Sequence, residues 1–200
     1  MKFLTFSHKG MIRPANEDYV EAVQVSWTGP MGNVDQLTAL LLADGMGGAA
    51  AGEYASMLAV RTTKDNLLNA IFHRPPEELL NADLIKFMSD SIIQANHTIY
   101  QEAATNKEKE GMGTTIVAGV IYRDILHLVH VGDSRAYLFR ENKLHQISRD
   151  HSLVQELMDQ GKITAEQAKV HPNRNIITRA LGVNAVTEPE GRKIPLFSGD

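Results

Sequence analysis

Hydrophobic and polar positions follow two periods along this chain, and the change from one to the other divides it. Lys2 to His8, Tyr19 to Trp27 and Leu37 to Ala43 are short apolar-rich runs that read as strands. The turn-forming cluster Gly29-Pro30-Met31-Gly32-Asn33 lies between the second and third. Two helical segments come next. The first runs from about Ala50 to Phe72 and stops before Pro75-Pro76, which cannot continue a helix. The second runs from about Ala82 to Ala104, with Leu84, Ile85, Met88, Ile92, Ile99 and Ala103 at three-to-four spacing on one packing face. Beyond it the period shortens again. Thr114 to Tyr122, Ile125 to Val131, Ala136 to Arg140 and Leu144 to Ile147 read as strands, joined in pairs by the hairpin-length dipeptides Arg123-Asp124 and Glu141-Asn142. Capping-box starts at Ser152 to Gln155 and Thr164 to Gln167 open two short helices. Lys169 to Asn175 reads as a loop, and Glu188 to Phe197 as extended chain. Strands, two long helices and a strand meander predict an α+β fold with helices packed on antiparallel sheets.

Chemistry concentrates where apolar runs meet glycine. In Leu40 to Gly48, LLLADGMGG, a buried strand delivers one carboxylate, Asp44, into a loop with few side chains, just before the first helix. Asn16-Glu17-Asp18 and Gly132-Asp133-Ser134-Arg135 also place acids beside predicted strands, so the three loops can converge at one sheet edge. Clustered carboxylates and backbone oxygens describe a hard-cation site for magnesium or manganese. Arg13, five residues before Asp18, supplies the guanidinium that holds a phosphate by paired hydrogen bonds. Metal-assisted phosphoryl chemistry is the class these residue types favour. Residue types alone leave Asp133 open as a turn residue and Arg13 as a solvated loop arginine.

Composition narrows the field. Two hundred residues, 43% hydrophobic and 22% charged, are ordinary for a globular chain and are read as one domain over residues 1–200. The net charge of −4 gives no reason to expect nucleic acid, and no apolar run is long enough to span a bilayer. The chain has no cysteine, which excludes disulfides, thiolate metal sites and cysteine nucleophiles, and fits a cytoplasmic location. The eight histidines show no ligand spacing and read as structural or surface groups. Gly47-Gly48 at a helix start allows a nucleotide-binding reading, but the Gly-Lys-Ser/Thr that would hold phosphates is missing.

In order, GMIRPANED, LLLADGMGG, GMGTT (Gly111 to Thr115), HVGDSRAYLF (His130 to Phe139), SRDHSLVQELMDQGKITAEQ and HPNRNIITRALG (His171 to Gly182) resemble the bacterial form of the metal-dependent, type 2C serine/threonine protein phosphatases. The resemblance implies a four-layer αββα sandwich of two antiparallel sheets flanked by helices. It implies two to three Mn2+ or Mg2+ ions, with catalytic Asp44 bridging two of them and the Gly45 carbonyl also a ligand. It implies that catalytic Asp18, with Glu17 beside it, holds metal-bound waters, that Arg13 binds the substrate phosphate, and that Asp133 supports a third metal. Ser152 to Asn175 would be the flap beside the site. The implied reaction is direct attack on phosphorus by a metal-activated hydroxide, on phosphoprotein substrates that include a serine/threonine kinase.

Two departures bear on that expectation. Met46 stands where eukaryotic members place a histidine. The family's two later aspartates, in an Asp-Gly and an Asp-Asn, are missing, since Asp-Gly occurs only at Asp44-Gly45 and the Asp-Asn at Asp65-Asn66 lies in a helix. The chain is accordingly expected to be a catalytic domain incomplete at its C-terminus, lacking the last strands. The alternative is an impaired or inactive regulator on the same fold that binds phosphoproteins or partners.

Overall fold

The computed structural model describes residues 2–11, 13–28, 34–73, 78 and 82–200. Strands β1 (Asp18–Thr28) and β2 (Val34–Met46) form an antiparallel pair, followed by helices α1 (Ala49–Phe72) and α2 (Leu84–Thr105). The short β3 (Gly113–Thr114), β4 (Ile116–Tyr122) and β5 (Ile125–Val131) come next, then the hairpin β6 (Tyr137–Arg140) and β7 (Lys143–Gln146). Helices α3 (Leu153–Asp159) and α4 (Ala165–Val170) precede β8 (Glu190–Pro195). The main sheet has six strands in the order β1-β2-β4-β5-β8, with β3 added to the end of β2; β6 and β7 make a separate two-stranded sheet. Every pairing is antiparallel, so the α+β fold with antiparallel sheets and helices is observed.

The pleat of β2 explains how the layers assemble. Leu37, Ala39, Leu41 and Ala43 are buried in one cluster with Ala55, Ala59, Val60 and Leu67 of α1 and Leu84, Met88, Ile92 and Ile99 of α2. Leu40 and Leu42, on the opposite face, line a groove of about 290 Å³ together with Leu4, Val20, Val117, Leu126 and Tyr137. The helices therefore cover one face of the main sheet, and part of the β6–β7 sheet reaches the other. No helix among the described residues is long and apolar enough to cross a membrane.

Several expectations change in detail. Lys2 to His8 is not a strand: it pairs with no ladder, and Leu4 and Phe6 are 92% and 80% exposed. An apolar run becomes a strand only where a partner edge accepts its backbone. β2 does not stop at Ala43 but runs on through Asp44 and Gly45 to Met46, because β1 and β3 both supply pairing there. The predicted strand from Thr114 is broken at Thr115, whose N–H goes to the Asp44 carbonyl at 2.9 Å. Only Thr164 completes its reciprocal capping box. Ser152 accepts from Gln155 N–H, but the Gln155 side chain turns away to Asp159. Both hairpin dipeptides fall between paired strands, and Glu141 and Asn142 take the left-handed conformation of a tight two-residue turn (φ 52° and 58°). The turn expected at 29–33 and the stop at Pro75-Pro76 lie outside the described residues.

Candidate active site

The site is built at the end of β2, where three segments meet. Asp44 lies directly opposite Asp18 in the β1–β2 ladder, and Gly45 lies opposite Thr114 in the β2–β3 ladder. The Asp44 backbone is held from several sides. Its N–H donates to Thr115 Oγ1 at 3.1 Å, and its carbonyl accepts from Thr115 N–H and Thr114 Oγ1, each at 2.9 Å. Thr115 Oγ1 also sits 2.6 Å from Ser134 Oγ, which ties the loop carrying Asp133 to the strand carrying Asp44.

Glycine makes this corner possible. A Cβ on Gly45 would lie 2.0 Å from the Gly52 carbonyl oxygen, so the end of β2 and the first turn of α1 touch backbone to backbone. Gly45 N–H donates to the Glu17 carbonyl at 3.0 Å, and the buried Ser56 hydroxyl donates to the same oxygen at 2.7 Å. These bonds fix the turn that delivers Glu17 and Asp18. Gly47 and Gly48, at φ 109° and 97°, carry the chain from strand to helix.

Glu17 is the buried acid of the group. Its Oε1 pairs with Arg13 Nη1 at 2.8 Å, while its Oε2 is enclosed with no hydrogen-bond partner. Arg13 itself is exposed, so Glu17 anchors one edge of a guanidinium that faces solvent. The Asp44 carboxyl opens to solvent, yet partial burial and then the charges of Asp18, Asp133 and Glu17 push its pKa up to about 6. Asp133 is half-buried, and its pKa is raised chiefly by burial, with Asp150 adding to the shift and Arg135 opposing it. Of the six residues singled out in the sequence, Glu17, Asp18 and Asp133 thus act on Asp44, Gly45 is bonded to the Glu17 carbonyl, and Arg13 is tethered through Glu17.

The donor set fits a hard divalent cation. The groups offered are oxygens, one carboxylate oxygen is buried without a partner, and the neighbouring acids raise the proton affinity of Asp44, which a cation would relieve. A second cluster was not foreseen. His130, His151 and Glu190 place ligand-type atoms within 4.8 Å of one another, the one such grouping among the described residues. Ring hydrogen bonding argues against metal there. Gly132 N–H donates to His151 Nδ1 at 3.1 Å, so the ring proton sits on Nε2, the atom facing Glu190 at 3.5 Å. His130 Nε2 donates to the Arg149 carbonyl at 2.7 Å. A cation on His151 Nε2 would require the ring to give up its one proton while Nδ1 keeps the Gly132 N–H, which disfavours metal at this cluster.

Sequence reasoning passed over Thr115, Ser134 and Ser56, which hold the site without facing it. A pair of threonines following Gly111-Met112-Gly113 was the available signal for Thr115.

Comparison with known proteins places this geometry. Residues 22–198 match a family model described as Protein phosphatase 2C. The chain is 37% identical over 193 residues to a protein named serine/threonine phosphatase stp from Listeria welshimeri, an alignment covering 96% of this chain and 71% of that protein. Among solved structures it is similar to serine/threonine phosphatase Stp1 from Staphylococcus aureus, with a TM-score of 0.75 at 34% identity over 96% of this chain and 70% of that one. It is also similar to the catalytic domain of the serine/threonine protein phosphatase PstP in complex with two manganese ions, with a TM-score of 0.72 at 34% identity over 97% and 72%.

Proposed function

Because the chain belongs to the protein phosphatase 2C family, we propose that it hydrolyses phosphoserine and phosphothreonine in proteins with Mn2+ or Mg2+ as cofactor. One observation carries the residue assignment: Asp44, locked by its backbone into the strand end, faces Asp18, Glu17 and Asp133 in a single field of carboxylates. Divalent ions bound there supply Lewis-acid activation of water and neutralise phosphate charge. Asp44, the Gly45 carbonyl and Asp133 would hold them, while Asp18 and Glu17 orient water around them. Arg13 receives the phosphoryl oxygens, and Glu17 holds one edge of its guanidinium. We read residues 1–200 as belonging to one catalytic domain. Its phosphoprotein substrates include a serine/threonine kinase, and it acts in cytoplasmic signalling. The absence of cysteine among all 200 residues is compatible with that compartment.

Manganese-dependent phosphate release from a phosphothreonine peptide tests the reading. Arg13→Ala is expected to raise the Michaelis constant roughly 10- to 100-fold, the worth of a lost charge-assisted pair. Its manganese requirement should stay close to wild type. A lost metal requirement with unchanged substrate affinity would make Arg13 a support for Glu17 instead.

A further inference from the structure

We propose that His151 is a positioning residue for Asp133, holding from the far side of the loop the peptide that aims this carboxylate into the site. The proposal rests on the reading of Asp133 as a metal-holding group given above.

β5 ends at Val131, and at Gly132 the chain turns left-handed, with φ 110°. Only glycine fits there, since a Cβ would meet the Thr115 side chain at 2.6 Å. The turn takes the Gly132 peptide out of the sheet ladder, so its buried polar groups need partners elsewhere. One residue supplies both. His151 N–H donates to the Gly132 carbonyl at 3.0 Å, and His151 Nδ1 accepts the Gly132 N–H at 3.1 Å. The histidine is 4% exposed, and its own carbonyl accepts from Thr178 N–H at 2.9 Å.

The surroundings leave the ring no freedom. His130, two residues before Gly132, stacks on it with centroids 4.8 Å apart and planes 18° apart. On the other side of Asp133, Arg135 clamps both carboxylate oxygens of Asp150, at 3.0, 3.0 and 2.6 Å. Asp133 is therefore bracketed: Gly132 before it is held by His151, and Arg135 after it by Asp150. Residues 149–151 lead straight into α3, so the segment that builds α3 and the loop that presents Asp133 are one hydrogen-bonded unit.

The acceptor atom makes this separable from mere packing. Asparagine places Oδ1 near the position of Nδ1 and can still accept the Gly132 N–H; glutamine reaches toward Nε2 and cannot. The test measures the manganese requirement, by calorimetric titration and by p-nitrophenyl phosphate hydrolysis, for His151→Ala, His151→Asn, His151→Gln, Asp133→Ala and the Asp133→Ala/His151→Ala pair. Loss of a supporting hydrogen bond behind a metal ligand costs about 10- to 100-fold in metal affinity. His151→Ala and His151→Gln are expected to raise the manganese requirement by about that factor while the Michaelis constant for substrate stays within about twofold, and His151→Asn to recover most of it. In the Asp133→Ala background His151→Ala should add nothing. Glutamine performing as well as asparagine overturns the proposal, and that comparison stands even where the alanine variant fails to fold. Full additivity of the double variant also overturns it. A normal manganese requirement in Asp133→Ala would strike the ligand assignment itself and the positioning role with it.

Discussion

Asp44→Asn is expected to reduce manganese-dependent hydrolysis by roughly 10²–10³-fold or more and, in the metal-free protein at pH 7, to raise the melting temperature. The loss of activity follows from removing the charge on which the other acids converge. The gain in stability follows from the same crowding. Asp44 has a folded-state pKa raised from 3.8 to about 6, by burial first and by Asp18, Asp133 and Glu17 after it. Between those pH values the folded state keeps a proton that the unfolded chain has released, so stability falls as pH rises through that window and the penalty is complete above about pH 6. Asparagine carries no charge at any of these pH values and escapes the penalty. Because Asp44 faces solvent, water screens the effect, and a shift of a few degrees is the expected scale. Thermal melts in chelator from pH 4 to pH 8 should show wild type and variant together at the acid end and apart at neutral pH. Activity within tenfold of wild type would remove Asp44 from the metal-holding role, and coincident melts would remove the mutual repulsion.

Gly45→Ala should be the most damaging glycine-to-alanine change among the described residues. The added methyl would sit 2.0 Å from the Gly52 oxygen, 2.4 Å from its carbon and 2.9 Å from the Glu17 oxygen. All three are backbone atoms, so no side-chain rotation relieves the overlap, and the strand end must part from α1. That parting also breaks the Gly45 N–H bond to Glu17. A destabilisation above about 4 kcal/mol is expected, at the extreme of what single substitutions cost. Gly48→Ala is the matched comparison. Nothing beyond its chain neighbours lies within 4 Å of its Cβ, and only its backbone conformation, φ 97° with ψ 151°, opposes the change, for about 1–3 kcal/mol. Urea denaturation of the two variants separates steric closure from backbone strain. Equal midpoints would show that the β2–α1 corner has room the distances deny.

How much of this was legible depends on how local the cause is. β5 falls on the predicted residues Ile125 to Val131, and α1 and α2 lie within two residues of expectation, because apolar periodicity is written into adjacent positions. Arg13, Glu17, Asp18, Asp44, Gly45 and Asp133 could be singled out because each sits in a short run whose residue types already suggest oxygen ligands or phosphate. What depends on a distant partner was not legible. Lys2 to His8 has a strand's pattern and no strand beside it. Asp44 reads as a loop residue next to three glycines, and only the pairing with Asp18, 26 positions earlier, makes it part of a strand. His130 and His151 looked unrelated in sequence; the chain returns after the β6–β7 hairpin, and the Gly132–His151 bonds bring their rings into a stack.

β2 is the one strand in the main sheet whose end is gripped by β1, β3 and the Thr115 hydroxyl together, and Asp44 and Gly45 occupy that end. Amides so placed are expected to exchange slowly, so the backbone under Asp44 should be well protected even though its carboxyl faces solvent. Arg13 is at the opposite extreme, its side chain exposed and, among the described residues, paired with Glu17. Local opening is therefore expected to free Arg13 well before it reaches the backbone that carries Asp44.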